Sequence, residues 1–182
     1  HFLGGTGGLP EIKTYTFDNV VDALNDLASF NWRSFLRNRL DSTDSHAPLD
    51  GIENAGWHLV YTEAPNHIQD ASERANKKLD LSFSIGVVLD EDGTIHDVIP
   101  GMAADKAGVG PEMKILGVNG QVWSPEAMRK AISSTRDSIQ PLELLILYGK
   151  SYQLFRLDYH GGSRYPHLKI EPNRQDLLGD II

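Results

Sequence analysis

Apolar residues recur at three- and four-residue steps early in the chain, which predicts two short amphipathic helices. The first carries its apolar side chains at Phe17, Val20, Val21, Leu24, Leu27 and Ala28. The second follows a candidate cap, Asn31, and carries them at Trp32, Phe35, Leu36 and Leu40. Two such helices cannot bury both of their apolar faces against each other. We therefore expect them to form the edge of a larger helical body, and the chain to be part of a longer polypeptide.

Further along the chain the apolar pattern becomes typical of strands. Strand-like runs occupy residues 57–62, 79–89, 94–98, 114–123, 142–148 and 152–159. Asp92-Gly93 predicts a tight turn between two of them, because the glycine adopts the left-handed backbone that such turns need. Residues 100–109 predict a turn, a short Ala-rich helix and a glycine stop, and Ser124-Pro125 predicts the start of a longer helix. Strands interleaved with two helices indicate an α+β domain.

Composition narrows the possible functions. The 182 residues include 17 Lys and Arg and 25 Asp and Glu, which gives a formal charge of −8. An acidic chain is a poor partner for nucleic acid or an anionic membrane, so we expect neither. The absence of cysteine excludes disulfides, thiolate metal sites and cysteine nucleophiles. No apolar run reaches the roughly 20 residues that a membrane-spanning helix needs.

A long ordered pattern resembles the core of bacterial PDZ domains. It runs V-I-P-G-M-A-A-D-K-A-G-V over residues 98–109 and continues K-I-L-G-V-N-G over residues 114–120. Two positions depart from that family's pattern: Glu112-Met113 replaces its Gly-Asp pair, and Met102-Ala103 replaces its Ser-Pro pair. The resemblance implies an α+β fold, a partly open antiparallel β-barrel with two helices.

A wider resemblance covers most of the chain. Five segments are similar to the C-terminal part of the glycyl aminopeptidase family of zinc metallopeptidases: residues 14–21, 31–35, 56–61, 81–86 and 157–168. That resemblance implies that residues 1–54 are the last helices of a thermolysin-like catalytic domain. Residues 55–160 would then be the PDZ domain and residues 161–182 a C-terminal tail. By the same analogy we expect a periplasmic or secreted protein.

The catalytic chemistry of such a peptidase is not encoded in this sequence. A zinc peptidase of this class needs two histidines one helical turn apart with a glutamate between them, H-E-x-x-H, and the motif does not occur. The histidines from position 46 onwards are scattered over predicted loops and strands: His46, His58, His67, His96, His160 and His167. His160 and His167 flank a Gly-Gly turn and are a weak candidate for a metal site. We expect no catalytic residue and no cofactor in this chain, with zinc in the missing catalytic domain.

The function that remains is peptide binding by strand addition, in which an extended peptide joins the open edge of a sheet beside a helix. The resemblance places the carboxylate-binding loop at Ser84, Ile85, Gly86 and Val87, because Gly86 would let successive amides turn towards one anion. On the facing helix the candidate residues are Met128, Arg129 and Ile132. The competing interpretation is that these apolar residues are simply core.

Three functions therefore stay open at the level of sequence. The chain is a non-catalytic part of a glycyl aminopeptidase-like enzyme that binds peptide or substrate segments, or it belongs to another protease as a PDZ module. In the third, the domain is an interdomain scaffold whose groove is blocked by residues 66–78 or by the tail. The expected partners are a peptide, a protein C-terminus or the parent's own catalytic domain.

Overall fold

The computed structural model describes residues 14–44 and 47–179. The chain divides into two compact units, residues 1–51 and residues 52–182. Within the described residues, no helix combines the length and the apolar character needed to cross a membrane.

The first unit contains the two helices that the sequence predicts. Helix α1 spans Phe17–Leu27 and α2 spans Trp32–Asp41. Thr16 and Asn19 form a reciprocal cap at the start of α1: the Thr16 hydroxyl accepts from the Asn19 amide at 3.2 Å, and the Asn19 side chain accepts from the Thr16 amide at 2.9 Å. Asn31 caps α2 by accepting from the Ser34 amide.

Little of this first unit is buried. Among its described apolar residues only Val21 is fully buried, while Leu27 is 84% and Leu40 69% exposed. Edge-to-face contacts join Phe30, Trp32 and Phe35. The expectation that these helices do not bury both apolar faces against each other therefore agrees with the exposure of their leucines.

The second unit contains the strands, in three antiparallel sheets. Helix α3 (Asp50–Asn54) lies at the junction of the units. The strands are β1 (Trp57–Thr62), β2 (Lys78–Leu81), β3 (Val87–Asp90), β4 (Ile95–Val98), β5 (Lys114–Val118), β6 (Gln121–Val122), β7 (Leu142–Tyr148), β8 (Ser151–Leu157) and β9 (Tyr165–Ile170). The helices are α4 (His67–Asn76), α5 (Ala103–Lys106) and α6 (Pro125–Ser134), which runs into a 3-10 turn at Thr135–Asp137. The sheet orders are β1-β9, β2-β3-β4 and β6-β5-β7-β8.

The α+β class is confirmed, and the described sheets are open, without a closed barrel; the finer expectation of a partly open barrel stays a prediction. The second and third sheets are joined by the bridge of Thr94 with Lys114 and by a few backbone hydrogen bonds between residues 93–95 and 112–115. These few bonds do not make the two sheets one continuous sheet. A common apolar core packs the second and third sheets with α6 instead, through residues such as Leu89, Ile115, Met128 and Ile146.

Two segments differ from their predicted form. Residues 79–89 do not make one strand: β2 ends at Leu81, the chain turns, and β3 begins at Val87. The predicted tail contributes β9, which pairs with β1 from Trp57↔Ile170 to Thr62↔Tyr165. Within residues 66–78, which the scaffold alternative named as a possible block of the groove, His67–Asn76 form α4. The assignment of residues 1–54, 55–160 and 161–182 to separate domains stays a prediction.

Candidate functional site

Strand β3, the expected receptor for an added peptide, is paired on both sides. Along one edge it pairs antiparallel with β2, from Lys78↔Asp90 to Leu81↔Val87. Along the other it pairs with β4, where Val87 lies opposite Val98. The expectation of an open margin at β3 is therefore wrong for this structure, because the chain supplies both neighbouring strands itself.

The loop between β2 and β3 also differs from an open anion nest. The amides of Ser84 and Gly86 both donate to the Leu81 carbonyl oxygen, each at 3.0 Å. The carbonyls of this loop are used as well: Gly86 accepts from the Ile99 amide at 2.8 Å, and Ile85 accepts from the Ala104 amide at 3.0 Å. The expected outward-facing amides are thus turned towards the end of β2, which occupies them.

The predicted binding residues do come together, but they do so inside the protein. Among the predicted binding residues, Ser84 is 2% exposed. Four others are less than 2% exposed: Ile85, Val87, Met128 and Ile132. Leu79 and Leu81 of β2 belong to the same apolar cluster. Their role in this structure is core packing, which was the competing interpretation. A role in binding a peptide stays a prediction for these residues.

Gly86 is fixed in place by its surroundings. Its φ is +83°, in the left-handed region, and a β-carbon built on it would lie 2.2 Å from the Met102 Cβ. Gly101 has a similar φ of +79° but no atom within 4 Å of the corresponding position. The loop thus needs glycine at position 86 for both conformation and space, whereas position 101 needs it for conformation alone.

Arg129 lies at the centre of a polar clamp rather than at the rim of a pocket. Its Nη2 lies 2.6 Å from Glu73 Oε2, and its Nη1 donates to the Tyr165 hydroxyl at 3.0 Å. Glu73 is 7% exposed, and its Oε1 accepts from the Asp80 amide at 2.9 Å. These bonds join α4, α6, β2 and β9.

Electrostatics of the clamp favour the charged form of its arginine. Burial pulls the pKa of Arg129 down, but the hydrogen bond and charge of Glu73 outweigh it, so the pKa is raised. Glu73 was missed at the level of sequence. Nothing in a polar helical segment marks one glutamate as buried, and its partner lies 56 residues further along the chain.

A surface feature lies beside the loop, and the sequence did not mark it as a site. The Arg164 guanidinium carbon lies 4.4 Å from the centre of the Tyr61 ring, and the Tyr61 and Phe83 rings are 5.8 Å apart. Tyr61 is 41% and Phe83 39% exposed. The Arg164 amide donates to the Ser84 hydroxyl at 3.1 Å, which ties this residue to the loop. We call Tyr61, Phe83 and Arg164 the aromatic–arginine patch.

The candidate metal histidines are engaged separately. His160 Nδ1 lies 2.8 Å from the Ser138 carbonyl oxygen and its Nε2 lies 2.9 Å from Asp158. His167 Nε2 lies 2.8 Å from the Ala64 carbonyl oxygen. Across residues 14–44 and 47–179, no group of three or more His, Asp or Glu side chains is arranged to hold a metal ion. His46 lies outside the described residues.

Comparison with solved structures gives a likeness in fold. The chain is similar to an aminopeptidase N family protein from Idiomarina loihiensis, with a TM-score of 0.53 and 13% sequence identity. The fold is shared with part of that protein. The likeness covers 88% of this chain and 27% of the aminopeptidase, so the chain spans about a quarter of that protein's length.

A second solved structure, the PDZ domain of HtrA3 bound to the phage-derived ligand FGRWV, matches less well. Its TM-score is 0.31 at 15% identity, covering 63% of this chain and 93% of that domain. No family model matches the sequence, and no curated protein does so either. The narrower assignment to the glycyl aminopeptidase family stays a prediction.

The polar clamp predicts a large loss of stability on removal of its carboxylate. We expect Glu73→Ala to lower the free energy of unfolding by about 2–4 kcal/mol, because it leaves Arg129 and the Asp80 amide without their partner. Urea unfolding followed by circular dichroism measures the change. Asp70→Ala on the same helix is the control: its exposed pair with Arg74 should contribute less than about 1 kcal/mol. Equal losses in the two variants would contradict the clamp.

The loop predicts different responses from two glycines. We expect Gly101→Ala to cost about 1–2 kcal/mol of stability, since it only places a side chain at positive φ. Gly86→Ala should cost a further 1–3 kcal/mol or so, because the added methyl group overlaps Met102. The same urea experiment compares them. A Gly86 variant as stable as the Gly101 variant would show that the loop is not held against Met102.

His160 predicts a measurable titration. Its contacts with the Ser138 carbonyl and then the Asp158 carboxylate raise its pKa, since only the protonated ring can donate to both acceptors. The stabilising contribution of this charge is present below the unfolded-state pKa and is lost as the pH rises through the folded-state pKa. NMR titration of the ring protons should give a pKa above that of the same histidine in a peptide. Asp158→Asn should lower it, and an unchanged value would contradict the contact.

Proposed function

We propose that this chain is a non-catalytic region of a larger zinc aminopeptidase-like protein, of the glycyl aminopeptidase kind, and that it serves as an interdomain scaffold. Two observations support the peptidase context. The fold is similar to part of an aminopeptidase N family protein over 88% of the chain, and the sequence contains segments that resemble glycyl aminopeptidases. Zinc would be bound by residues of the catalytic domain, outside this sequence, and the compartment would be periplasmic or extracellular.

The scaffold role is supported by one observation above all, the occupation of the strand-addition position by β2. An incoming peptide would have to displace Leu79 and Leu81, whose side chains are 2% and 3% exposed. Burying one leucine contributes about 1.5–3 kcal/mol. Because β2 is joined to β3 by a five-residue loop, its effective concentration is on the order of millimolar or higher. A peptide of ordinary micromolar affinity then competes poorly.

A second function has one observation in its favour. The Leu81 carbonyl accepts the Ser84 and Gly86 amides, the groups that a terminal carboxylate would use if β2 were released. On this alternative the chain binds peptides by exchanging β2 for a foreign strand. The exchange needs α4 to detach too, since Glu73 holds the Asp80 amide.

Hydrogen exchange distinguishes the two functions. We expect the amides of Leu79 and Leu89, which face each other across the β2–β3 pair, to exchange at the same slow rates with and without an excess of a peptide ending in an apolar residue, because β2 stays paired with β3. The measurement is amide exchange by NMR on the full chain, with the C-terminally amidated peptide as control. Faster exchange in β2 that only the free carboxylate induces would replace the scaffold by the exchange mechanism.

The peptidase context has its own test in the gene. We expect the coding sequence preceding this chain to encode H-E-x-x-H within a few hundred codons, because catalysis needs those ligands and this sequence lacks them. A complete upstream sequence without the motif would remove the enzyme from the proposal and leave the scaffold role standing.

A further inference from the structure

Arg164 lies beside the candidate loop, and its charge is not paired with a carboxylate of the described residues. Within residues 14–44 and 47–179 its guanidinium makes no ion pair and no side-chain hydrogen bond. Its contact is with the face of the Tyr61 ring, at 4.4 Å. A guanidinium held over an aromatic face keeps its charge, and it has five N–H groups, some of which can donate to an anion.

The surroundings of Arg164 include a second arginine. Nearby Arg136 is paired with the side-chain carboxylate of Glu63. Both guanidiniums lie close enough to Tyr159 to oppose the effect of burial, which raises the pKa of that tyrosine. Arg136, Glu63 and Arg164 together carry one net positive charge, in a chain of net charge −8. One of the two arginines is neutralised by a carboxylate of the chain, and the other is not.

We propose that the aromatic–arginine patch is an interaction surface for an internal acidic segment of a partner protein. Arg164 pairs with one Asp or Glu side chain, and Phe83 packs against the apolar residue beside it. Arginine, tyrosine and phenylalanine are the residue types enriched at protein interfaces, and here the exposed Arg164 lies against one half-exposed ring that is itself in contact with another. This surface is separate from the strand-addition position at β3, and it does not depend on the scaffold role.

A side-chain carboxylate is the proposed occupant because Arg164 is a cation without an ion pair in the described residues, and Arg136 nearby pairs with a group of this kind, that of Glu63. It needs an adjacent apolar residue because Phe83 and Tyr61 together present two half-exposed rings, 39% and 41%, at the same place. A guanidinium binds such a carboxylate through two parallel hydrogen bonds, which an ammonium group cannot reproduce. The pairing is at a half-exposed site, so its affinity should be modest and should fall with salt.

The test uses the full chain and short peptides whose ends carry no charge. The probe is acetyl-Gly-Glu-Phe-Gly-amide, and its matched control replaces Glu by Gln. We expect the Glu peptide to shift the NMR signals of the Phe83 and Tyr61 rings and the Arg164 side chain. The Gln peptide should bind about two- to fivefold more weakly, the order expected for loss of one exposed ion pair. Equal binding of the two peptides, or no binding by either, would overturn the proposal.

Three protein variants separate the patch from general electrostatics. R164Q should abolish the preference for Glu over Gln, and R164K should retain only part of it, because lysine keeps the charge but loses the planar fork. R156Q is the control, since Arg156 is an exposed arginine that pairs with Glu143 elsewhere on the surface. An equal loss in R156Q would overturn the assignment. Fold is checked by the amide spectrum of each variant.

A third peptide, acetyl-Gly-Ala-Phe with a free C-terminal carboxylate, distinguishes the source of the anion. Weaker binding of this peptide than of the Glu peptide supports the proposal. If it binds to Arg164 at least as well as the Glu peptide, the occupant is a chain terminus and the proposal of an internal acidic segment is wrong. Neither result depends on hydrogen exchange in β2, so failure of this proposal leaves the scaffold proposal untouched.

Discussion

The pairing of β2 with β3 is the interaction on which the rest of this structure depends. It brings Leu79 and Leu81 into the core, and it places the Leu81 carbonyl where it satisfies the amides of Ser84 and Gly86. The outer side of β2 is then closed by α4, whose Glu73 accepts from the Asp80 amide. A single four-residue strand thus completes a sheet, a loop and a polar clamp, and none of the three could form in this way if that strand were elsewhere.

Sequence reasoning reached the elements of this arrangement but not their pairing. Caps such as Asn31 and Ser124 are local, and each begins a helix as predicted. The apolar alternation of residues 79–89 is local too, and it resembles one strand because Phe83 and Ile85 continue the alternation through the turn, although serine and glycine lie between them and after them. The two halves of that run could continue in line or fold back on each other. The outcome depends on the element that covers them, here α4, and the sequence of the run itself does not contain that information.

The site residues divide along the same line. Ile85, Val87, Met128 and Ile132 were identifiable because apolar residues at helix and strand spacing converge on a core, but their burial decides between lining a pocket and filling one. Of the two arginines Arg129 and Arg164, the sequence singled out the first. The difference between them is tertiary: Glu73 reaches Arg129 from 56 residues away, while Arg164 meets an aromatic ring instead of a carboxylate.

This contrast has a consequence for how an acidic domain can recognise an anion. A backbone nest works only while its amides are unoccupied, and here the chain's own Leu81 oxygen satisfies Ser84 and Gly86 at full hydrogen-bond distance. An arginine held against a ring carries a full charge that the described part of the chain leaves unpaired. On the proposal made for the aromatic–arginine patch, this end of the domain binds an anion through the side chain of Arg164 and not through the backbone of the loop. The ligand is then a side-chain carboxylate beside an apolar residue, and not a chain terminus.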